Sequence, residues 1–130
     1  MIDVAAAVIR NEKGEILICR RGSGGNCANL WEFPGGKREP GETMEECLVR
    51  ECREELEVGI VIERLMCETT FAYPDRVIHF NFFDSRIADG TPKMDVHQDM
   101  KWVEASQLKC YAFCPADAEI VAQLAASSEK

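Results

Sequence analysis

The segment from Thr43 to Leu56 constrains the fold of this chain most strongly, because it combines helix signals with carboxylates on the apolar side. Thr43 and Glu46 have the spacing of a capping box, in which each side chain bonds to the other residue's backbone N–H. This predicts a helix that begins after Thr43 and ends near Leu56. Its apolar stripe, which should face the core, consists of Met44, Cys47, Leu48 and Cys52.

Four glutamates lie within seven positions at the end of this helix, from Glu51 to Glu57. A helix turns by about 100° per residue, so side chains three or four positions apart share a face. On this wheel Glu51 and Glu55 fall against the apolar stripe, and Glu54 lies at its flank. At least two carboxylates should therefore point toward the rest of the fold rather than into water.

Carboxylates that face a core need a compensating charge. One explanation is an Arg–Glu network that uses Arg50 or Arg53, and the other is a bound metal ion. Both arginines fall with Glu46 and Glu57 on the opposite, solvent side of the wheel, so the pattern favours a metal. Oxygen ligands of this kind suit Mg²⁺ or Mn²⁺ rather than zinc.

The loop before the helix adds two glycines and a cation. Gly35 and Gly36 allow the backbone to approach a ligand closely, and Lys37 follows them. Metal ions bridge phosphate oxygens, and a lysine offsets the charge that remains. Acidic ligands, a glycine turn and a neighbouring cation therefore indicate a site for a polyphosphate.

The order of the predicted elements indicates an α+β fold. Strands are expected at 3–10, 15–21, 60–73, 76–87 and near 100–105, and a final helix is expected from Pro115 onward. The stretch 22–42 is rich in Gly, Asn and Pro and should be mostly loop. This order predicts a mixed sheet with helices on both sides, and 130 residues without an internal linker predict one domain over 1–130.

Charge and cysteine usage limit the partners. The net charge of −8 disfavours binding of long DNA or RNA, although local cations or a metal can receive a small anion. The seven cysteines contain no CxxC pair, so we expect buried thiols and no zinc ribbon or disulfide framework. No run has the length of a membrane span and the first residues do not resemble a secretory signal, which predicts a cytoplasmic protein with no membrane contact. Nothing in the sequence indicates the oligomeric state.

The spacing around the glutamates resembles the Nudix box. The matching positions are Gly36, Glu42, Arg50, Glu51, Glu54, Glu55 and Val58. Cys52 stands where a larger aliphatic residue is usual, and Glu57 stands where glycine is usual. The resemblance extends over nearly the whole chain and is closest to the MutT-like nucleoside triphosphate pyrophosphohydrolases. It implies a single Nudix domain, an α/β/α sandwich around a mixed sheet.

The resemblance also implies roles for individual residues. Metal binding and catalysis would fall to Glu51, Glu54 and Glu55, with the Gly35 carbonyl as a further metal ligand. Structural support of the site would come from Gly36, Glu42 and Arg50, of which Arg50 would orient the glutamates. Substrate contacts would come from Arg21, Glu32, Phe33, Pro34, Gly35, Lys37, Phe80 and Asp117. Water would attack a phosphoryl group and release nucleoside monophosphate and pyrophosphate, with Mg²⁺ or Mn²⁺ as the cofactor.

One position departs from the resemblance. Relatives often carry a glutamate shortly before the tryptophan that corresponds to Trp102, where it serves as a metal ligand or general base, and Val96 stands there in this chain. Asp95 or Asp99 could substitute after a small shift, or a glutamate of the box could serve as the base unaided.

Asp117 is the main indicator of the substrate. An acid at the start of a helix needs no function, because the helix dipole favours it, but MutT-type enzymes place Asn or Asp here to bind the base edge. An ionised aspartate only accepts hydrogen bonds, so it prefers cytosine N4 or adenine N6. An oxidised guanine, which gains an N7–H, also satisfies it.

Three functions follow from these residues. The leading hypothesis is a housekeeping or sanitising pyrophosphatase that acts on 8-oxo-dGTP or a (d)CTP-like substrate. The second is hydrolysis of another nucleoside diphosphate derivative, such as an ADP-ribose-like compound. The third, suggested by Val96, is a non-catalytic nucleotide sensor, which the intact set of box glutamates disfavours.

Overall fold

A computed structural model describes residues 1–127 of the chain. The strands are β1 (Ile2–Arg10), β2 (Ile16–Arg20), β3 (Trp31–Glu32), β4 (Gly35–Lys37), β5 (Gly59–Tyr73), β6 (Arg76–Asp89) and β7 (Asp99–Val103). The helices are α1 (Met44–Leu56) and α2 (Ala118–Ser127), with 3₁₀ helices at Ala105–Cys110 and Pro115–Asp117. All the predicted elements are present. The predicted loop at 22–42 also contains β3 and β4, whose two or three residues are too few to give a strand pattern.

β1 lies at the centre of a mixed sheet. It pairs in parallel with β6 along its length, and its two ends pair antiparallel with β2 and β4. β5 pairs with the outer side of β6, and both β3 and β7 pair with β2. The predicted mixed α+β sheet is therefore confirmed.

The side chains of β1 alternate between two core layers. Ala5, Ala7 and Ile9 pack with the buried face of α1. Ala6 and Val8 point to the other side and pack in the layer that contains α2. Because successive residues of a strand face opposite sides, one strand serves both layers. The result is the expected sandwich with a helix on each face of the sheet.

The start of α1 is fixed by the predicted capping box. Thr43 Oγ1 accepts from the Glu46 N–H at 3.0 Å, and Glu46 Oε1 accepts from the Thr43 N–H at 2.9 Å. The helix ends at Glu57, whose φ of 58° is the left-handed conformation in which glycine is usual. The packing of its buried face against the sheet sets the rotation of the helix about its axis, and with it the direction of each glutamate.

The expected burial of the cysteines holds only in part, since Cys27 and Cys67 are half-buried and Cys110 is exposed. All seven cysteines are free thiols, and Cys19, Cys47 and Cys52 are fully buried in the layer beneath α1. Within residues 1–127, no helix is long and apolar enough to cross a bilayer.

Candidate active site

The three glutamates predicted to bind metal differ in exposure. Glu51 is 17% exposed and Glu54 is 56% exposed, as expected for the apolar face and its flank. Glu55 is largely buried, and its Oε1 accepts from the Gly35 backbone N–H at 3.1 Å. Helix α1 therefore presents two inward carboxylates and one outer carboxylate beside strand β4.

The two glycines of β4 each lie so close to another part of the protein that a β-carbon would overlap with it. A β-carbon on Gly36 would overlap the carboxyl group of Glu51. A β-carbon on Gly35 would overlap the backbone of Ala5 in β1, with which β4 pairs. Both glycines are therefore explained by packing within the protein, where Gly36 leaves room for the carboxylate of Glu51.

Replacing Gly36 with alanine should displace Glu51 and lower turnover by roughly tenfold, because misplacement of a site group by less than an ångström is already costly. Steady-state kinetics with a nucleoside triphosphate and Mg²⁺ would measure the effect. Gly24→Ala is the matched control, since a β-carbon there has no atom within 4 Å. Equal activity of both variants would contradict the placement of Glu51 against Gly36.

Arg50 binds several of the carboxylates. Its Nε donates to Glu42 Oε2 at 2.6 Å, and its Nη1 donates to Glu51 at 3.0 Å and to Glu54 at 2.8 Å. Its Nη2 donates to the Lys37 carbonyl at 3.1 Å. The expectation that Arg50 lies too far round the helix for an Arg–Glu network was wrong, because a helical wheel records the Cα direction and an arginine side chain spans a full turn. The role implied by the resemblance, orienting the glutamates, fits these contacts.

Glu55 lies outside this network. Within residues 1–127, none of the Arg50 hydrogen bonds reaches it. Burial raises the pKa of Glu55 to about 7; His97 opposes this shift, and Glu32 and Glu51 add to it. A carboxylate in this position lacks a full positive partner, which a divalent cation would supply.

The donors at this position fit Mg²⁺ or Mn²⁺ in kind, since they are carboxylate and carbonyl oxygens. In the described part of the chain, no three acidic, histidine or cysteine side chains are already arranged to hold an ion. The contacts of Arg50 explain this, because its Nη1 bonds both Glu51 and Glu54. Arg50 bonds Oε1 of each glutamate, which leaves Oε2 of Glu51 and of Glu54 for a cation.

A cavity of about 360 Å³ opens beside Glu55, on the side of the sheet that carries α2. The predicted site residues that line it are Arg21, Glu32, Phe33, Gly35, Gly36, Lys37, Glu55, Phe80 and Asp117. Pro34 does not line it; this residue is buried, and its carbonyl accepts from the Ala7 N–H at 2.8 Å. Its contact positions β4 against β1.

Sequence reasoning missed other residues of the cavity wall. They are Val4, Ala6, Asn26, Cys27, Arg76, Ile78, Cys114 and Ala116; Tyr73 also lines the cavity. Val4, Ala6, Ile78 and Phe80 alternate along the paired strands β1 and β6, so the period of two could have identified this wall.

Arg76 had no such signal. Its guanidinium carbon lies 5.6 Å from the centroid of the Tyr73 ring, in the cavity wall. Its Nε is buried and has no hydrogen-bond partner among the described residues. The position of Arg76 depends on how the β5–β6 hairpin folds over the site, which local sequence does not specify.

Asp117 is 5% exposed and lies in the 3₁₀ turn directly before α2. Burial raises its pKa well above the ordinary range; Glu32 adds to the shift and Arg21 opposes it. The raised pKa favours the neutral acid over the ionised form that was expected, because the expectation assumed an exposed acid at a helix start. A protonated Asp117 offers one O–H donor and one carbonyl acceptor to the cavity.

Comparison with known proteins identifies the family that carries this arrangement. The NUDIX domain model matches residues 5–123. The chain belongs to the NUDIX family. As a Nudix pyrophosphohydrolase, the protein is an enzyme that acts on nucleotides.

Individual Nudix relatives are similar over most of their length. The 8-oxo-dGTP diphosphatase of Haemophilus influenzae is 38% identical, over 95% of this chain and 91% of that protein. The CTP pyrophosphohydrolase of Escherichia coli is 35% identical, over 90% of this chain and 86% of that protein. The crystal structure of the MutT protein from Methanosarcina mazei Go1 matches with a TM-score of 0.85 and 26% identity, over 99% of this chain and 96% of that chain.

In the segment before β7, Asp95 and Asp99 were the candidates to replace the glutamate that is missing at Val96. Val96 is 59% exposed, Asp95 is also exposed, and Asp99 Oδ1 accepts from the neighbouring Met100 N–H at 2.7 Å. The side chain that this segment directs inward is His97, which is 3% exposed. His97 was not singled out from the sequence, because a lone histidine in a loop carries no pattern.

Proposed function

We propose that this Nudix enzyme hydrolyses a nucleoside triphosphate to a nucleoside monophosphate and pyrophosphate, with Mg²⁺ or Mn²⁺ as cofactor. The observation that carries the proposal is the continuity of the cavity. Glu55, Gly35 and Lys37 line it together with Phe80 and Asp117, so one space joins carboxylates and a cation to an apolar wall with a buried polar group. Such a space suits a molecule with a charged end and a flat, polar-edged end.

The phosphate end would be formed by the helix carboxylates and the cations. Glu51, Glu54, Glu55 and the Gly35 carbonyl would hold the divalent cation, which when bound neutralises phosphate charge and makes the phosphorus more electrophilic. Lys37 and Arg21, both in the cavity wall, would offset the remaining negative charge.

Four residues of helix α1 then prepare the attack of water. Arg50 holds Glu51 and Glu54 in place through one nitrogen. Glu55, whose side chain lines the cavity, would accept the proton of the attacking water through the carboxylate oxygen that the cation leaves free. This assignment requires no residue at the position of Val96.

The part of the cavity near Asp117 would bind the edge of a nucleobase that has one hydrogen-bond donor beside one acceptor. A protonated Asp117 donates and accepts at once, which matches cytosine N3 and N4–H₂ as well as O6 and N7–H of an oxidised guanine. The names of the two relatives, an 8-oxo-dGTP diphosphatase and a CTP pyrophosphohydrolase, correspond to these two bases. We therefore propose 8-oxo-dGTP or a (d)CTP-like nucleotide as the substrate, in a sanitising or housekeeping role in the cytoplasm.

A Mg²⁺-dependent screen of normal, oxidised and methylated nucleoside triphosphates would test the substrate, with ADP-ribose in the same panel. Turnover should be highest on oxidised guanine or cytosine nucleotides and absent with a chelator. Faster turnover of ADP-ribose would mean that the substrate is an ADP-ribose-like compound and not a nucleoside triphosphate. Binding of nucleotides without turnover of any would favour the sensor.

The products of the reaction show which phosphoanhydride bond of the nucleoside triphosphate is broken. We expect pyrophosphate and nucleoside monophosphate in equal amounts from a nucleoside triphosphate, because the resemblance to MutT-like enzymes implies this cleavage. Ion-exchange separation of nucleotides, together with enzymatic assays of pyrophosphate and orthophosphate, would measure it. Orthophosphate and a nucleoside diphosphate as products would refute the expectation.

A further inference from the structure

His97 joins the segment before β7 to the wall of the cavity. Its Nε2 lies 2.9 Å from Glu32 Oε2, and because a carboxylate oxygen accepts, Nε2 carries the proton. The imidazole is 3% exposed, and its Nδ1 is buried without a partner among residues 1–127. The next residue, Gln98, donates its N–H to the Arg20 carbonyl at 2.8 Å. The Glu32 bond therefore fixes the ring of a side chain that has little other polar contact.

Glu32 uses its two oxygens for two different partners. Oε2 bonds His97, and Oε1 accepts from Arg21 Nη1 at 3.0 Å. Glu32 and Arg21 both line the cavity, and Arg21 remains 40% exposed. The other anchor of Arg21 is the carbonyl of Asn26, in the glycine-rich loop, at 3.2 Å. A buried histidine thus holds a carboxylate whose second oxygen holds an arginine in the substrate space.

We propose that His97 is a positioning residue for the nucleotide: by fixing Glu32, it holds Arg21 in the orientation in which the guanidinium contacts the substrate. The inference rests on the proposed function, because it assigns Arg21 a nucleotide contact.

The physical reason is the freedom of an arginine side chain, which loses conformational entropy when it is fixed. A carboxylate that is held on one oxygen presents the other in a constant direction. Arg21 is therefore already ordered in the free protein, and less conformational entropy is lost when the substrate binds. Without His97, Glu32 can rotate about its side-chain bonds and Arg21 with it. Binding should weaken. The contacts that hold Glu51 and Glu54 do not include His97, so kcat should change less than KM when both are measured at a pH well above the pKa of Glu55.

The test compares His97→Met with His97→Gln. The glutamine amide nitrogen can replace Nε2 as a donor to Glu32, whereas methionine fills similar space without a donor. Isothermal titration with Mg²⁺ and the α,β-methylene analogues of dCTP and dGTP would give Kd, and kinetics on the best substrate would give KM and kcat. We expect His97→Met to raise Kd and KM by roughly tenfold with kcat within about twofold, and His97→Gln to stay near wild type. Equal behaviour of the two variants would overturn the proposal.

A double-mutant cycle tests whether the effect passes through Arg21. On an Arg21→Ala background, His97→Met should raise Kd no further, because the group that it positions is gone. An additional tenfold rise on that background would show that His97 acts elsewhere and would overturn the proposal. If His97→Met does not fold, as judged by circular dichroism, His97→Asn replaces it, since its amide is one bond too short to reach Glu32. Absence of turnover in the wild-type protein would count against the proposed function alone, because the Kd comparison does not require turnover.

Discussion

Glu55→Gln is expected to lower Mg²⁺-dependent turnover by roughly a hundredfold or more while the protein stays folded. The amide keeps the shape of the side chain and can still accept from the Gly35 N–H. It cannot take up a proton at neutral pH and is a weaker ligand for a hard cation. Single-turnover kinetics at saturating nucleotide would separate this loss from a change in binding.

The same variant should be more stable than the wild type when no metal is bound. Burial raises the pKa of Glu55 from 4.5 to about 7, so between these pH values the folded protein binds more protons than the unfolded chain. The stability of the wild type therefore falls as the pH rises from 4.5 to 7, and the full penalty persists above 7. The shift corresponds to at most about 3 kcal/mol, which partial solvent screening reduces.

Thermal melts at several pH values with a chelator would measure this difference. The Tm of Glu55→Gln should exceed that of the wild type above pH 7, and the two should converge below pH 4.5. Glu45→Gln is the matched control, because Glu45 lies on the exposed first turn of the same helix. Wild-type turnover in Glu55→Gln, or an equal loss of turnover in Glu45→Gln, would refute the assignment of Glu55 as a metal ligand and general base.

Local sequence was sufficient to predict helix α1 and the direction of its glutamates. The capping box and the apolar stripe are patterns over a few residues, so both can be found without knowing which other residues bury the stripe. The same holds for the long strands β1, β5 and β6. Because the glutamates of a helix keep fixed angles to its apolar stripe, predicting the helix was enough to place Glu51 and Glu55 toward the sheet.

Predictions failed where distant residues determine the outcome. Arg50 bonds Glu42 and the Lys37 carbonyl because the 37–42 loop folds back within reach of its side chain. The pKa of Asp117 is raised because the cavity wall buries it near Glu32. His97 reaches Glu32 across 65 positions of sequence. Periodicity reports which side of its own element a residue lies on, and these contacts lie outside the residue's own element.

Asp117→Ala should lower kcat/KM for the preferred nucleotide on the order of ten- to a hundredfold. The estimate follows from the loss of a paired donor and acceptor to the base, worth about 1–3 kcal/mol. Rates on poor substrates should change little, because they do not gain from this pair. Competition kinetics with mixtures of nucleoside triphosphates would give the ranking directly.

Asp117→Asn tests the protonation state of the acid. The amide also offers one oxygen acceptor and N–H donors, so if Asp117 is protonated in the folded protein, the asparagine variant should keep most of the activity and the same base preference. An ionised aspartate would instead make this variant change preference, because it would add a donor where none existed. The two substitutions together therefore separate a neutral base-binding acid from a charged one.

The protonation of Asp117 can also be tested through the pH dependence of kcat/KM. Because burial raises the pKa of Asp117, the wild type should lose kcat/KM on its preferred base as the pH rises through that pKa and the O–H donor is lost. Asp117→Asn cannot ionise and should lack this alkaline limb, while a limb that belongs to Glu55 should remain in both proteins. Identical pH profiles for the two proteins, with an unchanged ranking of bases in Asp117→Ala, would mean that Asp117 only stabilises the start of α2 and that the base is bound by other residues of the cavity.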